Sequence, residues 1–192
     1  MRAFVAIELP LRVQTVLDGV GTQLRATLPG QRVRWVAPDH IHLTIKFLGE
    51  ISNMQADALA GSLHALAAQL APIQLGLGEA GCFSQRGMPS ALWVGLSGGK
   101  TPLNGLQRSV EAAALALGHQ PETRAFRAHL TLGRFRAHLP AVAAGQVAAA
   151  LQKVVMPPSG HWIASEFSLM RSELLANGAK YTRLHKFAFG GH

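Results

Sequence analysis

The sequence predicts an α+β fold, because strand-like and helix-like segments mix along the chain without a regular β-α-β alternation. Residues 41–48 are a clear strand, and residues 13–28 carry apolar side chains at helical spacing. Near the end of the chain, Asn177-Gly178 lies between two apolar runs, a pattern typical of a β-hairpin because both residues tolerate positive φ. The 192 residues are 48% hydrophobic and 15% charged, which favours a folded chain.

The first half of the chain contains five predicted elements. In order they are a strand at 3–9, a helix at 13–28, a short strand at 33–36, a strand at 41–48 and a helix that begins after Ser52. Pro29-Gly30 ends the first helix. Ser52 and Gln55 form the capping-box pattern that opens the second helix.

The second half contains seven more. They are strands at 73–77 and 91–96, a helix from Thr101 to Gly118, a strand at 128–132, an alanine-rich helix at 141–153, and closing strands at 162–174 and 180–189. Thr101-Pro102 resembles an N-cap followed by proline in the first turn. No linker divides the chain, so we expect a single domain over residues 1–192.

The chain is basic, with 18 Lys and Arg against 10 Asp and Glu and a net charge of +8. This balance favours nucleic acid or another phosphate-rich partner. The basic residues form three groups along the sequence: Arg32, Arg34 and Lys46; Arg124, Arg127, Arg134 and Arg136; and Arg171, Lys180, Arg183 and Lys186.

Cys82 is the only cysteine, which excludes an intrachain disulfide and a multi-cysteine metal site. We expect it to be a structural thiol, since nothing nearby in the sequence resembles a base for a nucleophile. The first residues do not resemble a signal peptide, and no run approaches the roughly 20 apolar residues of a membrane span. These features predict a soluble cytoplasmic protein.

The most informative motif is a repeat, His42-Leu43-Thr44-Ile45 and His129-Leu130-Thr131-Leu132. Alternate side chains of a strand share a face, so each copy presents an imidazole and a hydroxyl about 7 Å apart. In the first copy, Lys46 is predicted to share that face, and Phe47 to lie on the core face.

Two such motifs across a cleft predict acid–base catalysis at a phosphate. Imidazole titrates near neutral pH, so one histidine can deprotonate a nucleophile while the other protonates a leaving group. Threonine hydroxyls can donate hydrogen bonds to phosphate oxygens. Arg134, three residues after Thr131, is close enough to reach the same phosphate. The residues alone do not decide which histidine gives the proton.

Two other chemistries are weaker readings of the same residues. A two-histidine zinc site would need Asp39 or Glu50 to complete it, and its spacing lacks the usual zinc patterns. The segment 95–101 has glycines followed by Lys100-Thr101 but not the full spacing of a phosphate-binding loop, so we interpret it as a turn before a helix. His40 is expected to face away from His42.

These motifs and their flanks resemble the two-histidine (2H) phosphoesterases, specifically the bacterial RNA 2′,3′-cyclic phosphodiesterases, also called 2′-5′ RNA ligases. The resemblance spans nearly the whole chain and rests on the segments 2–10, 41–49, 128–134, 171–174 and 178–181. The last residues, Phe189-Gly190-Gly191-His192, depart from the Pro-Leu that the family would have there.

The resemblance implies two lobes related by a pseudo-twofold axis, each an antiparallel sheet flanked by helices, around a central cleft. It implies hydrolysis of a 2′,3′-cyclic phosphate at an RNA end to a 2′-phosphate, without metal or cofactor. By this analogy His42 is the proton donor, His129 is the proton acceptor, and Thr44 and Thr131 hold the phosphate. Weak 2′-5′ ligation without ATP would be the reverse reaction. We expect a monomer.

Two alternatives stay open from the sequence. The substrate could be a small cyclic nucleotide or an ADP-ribose cyclic phosphate instead of RNA. The chain could also be a non-catalytic RNA-binding protein with Trp35 or Phe47 as a stacking surface. Aromatic residues are only 6% of the chain, which argues against the second alternative.

Overall fold

The fold is built on one antiparallel sheet that is covered by helices on its outer face. The computed structural model describes residues 1–28, 33–136, 141–175 and 178–191. The strands within these ranges are β1 (Arg2–Glu8), β2 (Val33–Trp35), β3 (His42–Glu50), β4 (Ile73–Gln85), β5 (Met88–Ser97), β6 (His129–Phe135), β7 (His161–Ala164), β8 (Glu166–Leu175) and β9 (Gly178–Ala188). The helices are α1 (Leu11–Thr27), α2 (Asn53–Ala67), α3 (Lys100–Ala116) and α4 (Ala141–Gln152).

The sheet has two halves that meet between β3 and β6. Its strand order is β7-β4-β5-β6-β3-β1-β8-β9, with β2 paired to β6 off this path. The two central strands are joined at one register pair, Leu43 with Leu130. Each half therefore contributes one His-Leu-Thr strand to the centre. The predicted α+β class with two lobes is confirmed.

The helices pack against the face of β3 and β6 that carries the leucines. Leu43 and Leu130 have no exposed surface, and they belong to one continuous apolar core with residues of the four helices. Residues 3–7 of β1 are buried on both faces, which explains why these five residues are all apolar. None of the helices in the described ranges is long and apolar enough to cross a membrane.

Several predicted elements are confirmed, with changed boundaries. The capping box of α2 is present: Gln55 N donates to Ser52 Oγ at 3.1 Å, and Ser52 N donates to Gln55 Oε1 at 2.9 Å. The third helix begins at Lys100, after Gly99, and Thr101 is not its N-cap. Gly99 has φ +59°, a conformation that a threonine rarely adopts. The predicted first-helix end at Pro29-Gly30, and Asn177 of the hairpin turn, lie outside the described residues.

The predicted strand at 162–174 is wrong as a single element. It is two strands separated by Ser165: β7 pairs with β4, whereas β8 pairs with β1 and β9. β7 and β8 are distant in the strand order but adjacent in the chain, so the sheet curls around the core. Local sequence favours extended backbone throughout this segment, and only the choice of partner strands divides it.

A one-residue bulge interrupts both central strands at the same point after the motif. Along β1 the partner changes from Thr44 directly to Lys46, so Ile45 has no partner. Along β5 it changes from Thr131 to Gly133, so Leu132 has none. A bulge shifts the alternation of side chains by one residue. Residues beyond it therefore change face relative to the simple strand pattern.

This bulge overturns the predicted positions of Lys46 and Phe47. Lys46 is 5% exposed and lies on the buried side, whereas Phe47 is 63% exposed. Lys46 Nζ donates to both carboxylate oxygens of Glu111 at 2.9 Å, and to the carbonyl of Gln120 at 3.3 Å. Glu111 also accepts from the backbone N–H of Glu122 at 3.0 Å. The pair ties α3 and the segment before β6 to β3.

Replacing Lys46 by methionine should destabilise the fold, because it leaves the Glu111 carboxylate largely buried without its cation. Removing one partner of a buried ion pair costs about 3 kcal/mol. The double variant Lys46→Met, Glu111→Leu should recover part of that loss. Urea unfolding of the single and double variants measures the loss and its recovery. Equal stability of Lys46→Met and the parent would contradict a stabilising role of the Lys46–Glu111 pair.

Candidate active site

A cleft of about 230 Å³ opens on the face of the sheet opposite the helices. It brings together all five side chains that the sequence singled out, namely His42, Thr44, His129, Thr131 and Arg134. Residues of β1, β8, β9, the far end of β3 and the segment before β3 complete its lining: Arg2, Ala3, Phe4, Val36, His40, Ile41, Phe47, Gly49, Ser172 and Tyr181.

The antiparallel register places each histidine beside the threonine of the other motif. Because Leu43 is opposite Leu130, Thr44 lies across from His129 and His42 lies across from Thr131. The four side chains share the cleft face and are half-buried. Two imidazoles and two hydroxyls therefore surround one small polar space, related by an approximate twofold axis.

Each imidazole is held by a carbonyl two residues earlier in the chain. His42 Nδ1 lies 2.8 Å from the carbonyl of His40, and His129 Nδ1 lies 2.6 Å from the carbonyl of Arg127. A carbonyl oxygen only accepts hydrogen bonds, so Nδ1 carries a proton in both rings. The Nε2 atom of each histidine is then the one that can take or give a proton.

His40 takes part in the site, contrary to the expectation that it faces away from His42. It belongs to a 3-10 turn, Pro38–His40, rather than to β3, so strand alternation does not apply to it. Its carbonyl orients His42, and its ring packs on Tyr181 with centroids 5.2 Å apart. Its side chain also lines the cleft.

Aromatic rings fix the two imidazoles from the side. Phe4 stacks on His42 with ring centroids 4.7 Å apart, and Tyr181 meets the same imidazole edge-on at 5.2 Å. In the other half, Phe83 meets His129 edge-on at 4.8 Å. These contacts restrict ring rotation, which keeps each Nε2 directed at the cleft.

The bulges bring Phe47 and Arg134 to opposite ends of the cleft. Each lies five residues after its histidine and lines the cavity. Since β3 and β6 are antiparallel, equivalent positions on them lie at opposite ends of the site. We call these the aromatic end and the cationic end, although Arg2 of β1 also lines the cleft near Phe47. Trp35, the other predicted stacking residue, packs against the core and is covered by Arg25, 5.2 Å from its ring centroid.

A carboxylate lies beside only one of the two histidines. Glu8 is the cross-strand partner of His42, whereas the corresponding partner of His129 is Gly95. Glu8 accepts two hydrogen bonds from Arg183, at 2.8 and 2.7 Å, and one from Ser168 Oγ at 2.6 Å. Burial opposes ionisation of Glu8, but these hydrogen bonds outweigh it and lower the pKa of the carboxyl group.

The pKa of each imidazole is lowered, and burial is the largest cause in both. For His42, the bond to the His40 carbonyl and the charge of Glu8 act in the opposite direction. For His129, the bond to the Arg127 carbonyl raises the pKa, and the charge of Arg134 lowers it further. Among the neighbouring charges, Glu8 has the largest effect on the pKa of His42, which His40 and His129 lower, whereas Arg134 is the charge that lowers the pKa of His129.

Ion pairing neutralises most of the third predicted basic group. Arg171 pairs with Glu173, Arg183 with Glu8 and Lys186 with Glu166. Three of the four basic residues of this group are therefore paired with carboxylates. Arg134 makes no salt bridge within the described residues. Arg32 lies outside those residues.

Neither alternative chemistry gains support from the geometry. In the part of the chain that the structure describes, no three His, Cys, Asp or Glu side chains gather into a metal-binding group, so Asp39 and Glu50 do not complete one with the histidines. Burial raises the pKa of the Cys82 thiol, which disfavours the reactive thiolate. Residues 95–97 end β5 and Lys100 begins α3, as a turn before a helix requires.

Comparison with known proteins identifies the family of this chain. Residues 15–175 match the family described as the 2′-5′ RNA ligase superfamily. The chain belongs to this superfamily. An RNA 2′,3′-cyclic phosphodiesterase of Thermus thermophilus is 31% identical over 100% of this chain and 91% of its own length.

Solved structures of superfamily members share the fold. A crystal structure of a Thermus thermophilus protein has a TM-score of 0.81 at 28% identity, covering 100% of this chain and 99% of that one. Escherichia coli LigT complexed with 3′-AMP has a TM-score of 0.71 at 26% identity, covering 98% and 96%. The two-motif cleft thus occurs in a chain that matches these superfamily structures over its full length.

Sequence reasoning missed the residues that surround the histidines. Glu8 interrupts an apolar strand, the one local sign that it has a special environment. Phe4 and Phe83 carry no such sign, because aromatic residues in strands are ordinary core residues. Tyr181 lies in a segment that carries the family resemblance, but only the folded chain places it against His42.

The pH profile of kcat/KM for catalysis at this site should be bell-shaped. The apparent pKa of each limb should lie below the ordinary imidazole value of 6.5, because burial lowers the pKa of both histidines. In Glu8→Gln, loss of the carboxylate charge should lower the pKa of His42 further. One limb should then move to lower pH while the other stays. A shift of both limbs, or of neither, would contradict the selective effect of Glu8 on His42.

Proposed function

We propose that this protein is an RNA 2′,3′-cyclic phosphodiesterase that opens a terminal cyclic phosphate to a 2′-phosphate. The observation that carries the proposal is the paired arrangement at the centre of the cleft. Two imidazoles with free Nε2 atoms face two threonine hydroxyls across β3 and β6. This set can supply a general base, a general acid and two hydrogen-bond donors at one phosphorus atom.

In the proposed reaction, His129 Nε2 takes a proton from water as the water oxygen bonds to phosphorus. The bond between phosphorus and the 3′ oxygen breaks, and His42 Nε2 gives its proton to that oxygen. The product has a 3′ hydroxyl and a 2′-phosphate. The two histidines finish with exchanged protonation states, which proton exchange with water restores.

The unequal charges beside the histidines support these roles. The Glu8 carboxylate favours a protonated His42, as a proton donor requires. The Arg134 guanidinium favours a neutral His129, as a base requires. The approximate twofold symmetry of the motifs does not by itself decide the direction of proton transfer. This symmetry is broken at the positions of Glu8 and Gly95.

Threonine and arginine side chains supply the phosphate contacts in this proposal. Thr44 and Thr131 would each donate a hydroxyl hydrogen bond to a non-bridging oxygen. Arg134 would balance the charge that develops on phosphorus-bound oxygens, since guanidinium suits paired phosphate contacts. Phe47, exposed at the other end, offers a flat surface on which the terminal base can stack.

Two further activities follow less directly. Reversal of the reaction would join a 2′,3′-cyclic phosphate to a 5′ hydroxyl and form a 2′-5′ linkage. A small cyclic phosphate would use the same histidines, and the 3′-AMP complex of Escherichia coli LigT shows a mononucleotide bound to a relative. A purely RNA-binding role accounts for Phe47 but gives no reason for two oriented imidazoles.

The single cysteine favours a reducing compartment such as the cytoplasm.

Replacement of either histidine by alanine should abolish hydrolysis of an oligonucleotide that ends in a 2′,3′-cyclic phosphate. Thr44→Ala and Thr131→Ala should impair it less, because a hydrogen bond to a charged group contributes roughly 1.5–3 kcal/mol. Activity is measured by the formation of the 2′-phosphate end, with and without a chelator. His64→Ala, on α2 outside the cleft, is the matched control.

Full activity of His42→Ala or His129→Ala would contradict the mechanism. Loss of activity with a chelator would favour the metal alternative. Circular dichroism and thermal unfolding separate loss of chemistry from loss of fold.

The roles of the two histidines can be separated with an activated substrate. In a nitrophenyl phosphodiester, the nitrophenolate leaving group departs without needing a proton. His42→Ala should therefore retain much of the parental rate on this ester, whereas His129→Ala should lose it. The reverse pattern would exchange the two roles.

A further inference from the structure

A second arginine lies beside Arg134 at the cationic end of the cleft. Arg34 on β2 is the direct cross-strand partner of Arg134 on β6. Residues that pair directly across two strands point to the same face of a sheet. Arg34 is exposed, and its neighbours Val33 and Trp35 point to the core side. The cationic end therefore continues past Arg134, away from the histidines.

No acidic group balances these two arginines. Neither forms a salt bridge within residues 1–28, 33–136, 141–175 and 178–191. The remaining segments contain no aspartate or glutamate. Asp39, in the turn that follows β2, pairs with neither arginine. Like charges directly across a strand pair repel each other, so an anion between them would relieve a cost that the free protein carries.

We propose that Arg34 forms a subsite for the phosphodiester on the 5′ side of the terminal nucleotide, next to Arg134, which holds the cyclic phosphate. This inference rests on the proposed function. In this arrangement the cyclic phosphate lies between the histidines, the base lies toward Phe47, and the 5′ phosphodiester extends past Arg134 to Arg34. Guanidinium groups bind phosphodiester oxygens through paired hydrogen bonds. The subsite would select an RNA chain over an isolated nucleotide.

A pair of substrates tests this subsite. A dinucleotide that ends in a 2′,3′-cyclic phosphate has the 5′ phosphodiester, and the matching nucleoside 2′,3′-cyclic phosphate lacks it. The parent should prefer the dinucleotide in kcat/KM. Arg34→Ala should reduce that preference about 5-fold, as expected for a solvent-exposed contact, and leave the nucleoside substrate unchanged. The preference of Arg34→Lys, which keeps the charge, should lie between that of the parent and that of Arg34→Ala.

Salt dependence gives a second readout, and Arg108→Ala is the control. Loss of one phosphate contact should flatten the plot of log kcat/KM for the dinucleotide against log salt by roughly 0.7. Arg108 is an exposed arginine of α3, on the helical side of the sheet. Its replacement should change neither the preference nor the slope.

Several results would overturn the subsite. These are an equal loss on both substrates in Arg34→Ala, no loss on either, or the same loss in Arg108→Ala. A parent enzyme that cleaves both substrates with equal efficiency would do so as well. Failure of the parent to cleave either substrate would instead overturn the proposed function, so the two failures are distinguishable.

Discussion

The contact between β3 and β6 at Leu43 and Leu130 is the constraint on which the site depends. The two strands are distant in sequence, and each brings one His-Leu-Thr motif from its own half of the sheet. Both leucines are completely buried against the helices, so the opposite side chains must face the cleft. Burial of apolar surface therefore holds the polar groups together, although no hydrogen bond joins one motif's side chains to the other's in the described residues.

Symmetry and its departures explain how a duplicated arrangement can perform an asymmetric reaction. Both histidines use a carbonyl two residues earlier, and both strands bulge at the same point. The differences lie around them: Glu8 against Gly95, and Phe47 against Arg134. A carboxylate across from His42, and a glycine at the matching position across from His129, distinguish the two imidazoles. Phe47 stands at one end of the cleft where Arg134 stands at the other, so the two ends differ.

Much of this site could be predicted from the sequence, and the failures have physical causes. The period-two pattern of leucine and threonine correctly places His42, Thr44, His129 and Thr131 on a common face. It fails at Lys46 and Phe47, because a bulge depends on the partner strand and leaves no mark in the local pattern. It fails at His40, because a 3-10 turn precedes the strand. In the basic group on the closing hairpin, Arg171 and Lys186 pair with acids of the hairpin itself, and Arg183 pairs with Glu8 of β1, which the sequence pattern does not show.

The sequence by itself determined the fold class, the two motifs and the basic character of the chain, because these depend on local periodicity and composition. Tertiary structure decided which strands pair, where one extended segment divides into β7 and β8, and which cations keep their charge uncompensated. It also placed Glu8 beside His42 and Arg34 beside Arg134. Such contacts join residues far apart in the chain, and their energies arise only when the burial of the core fixes the register of the sheet.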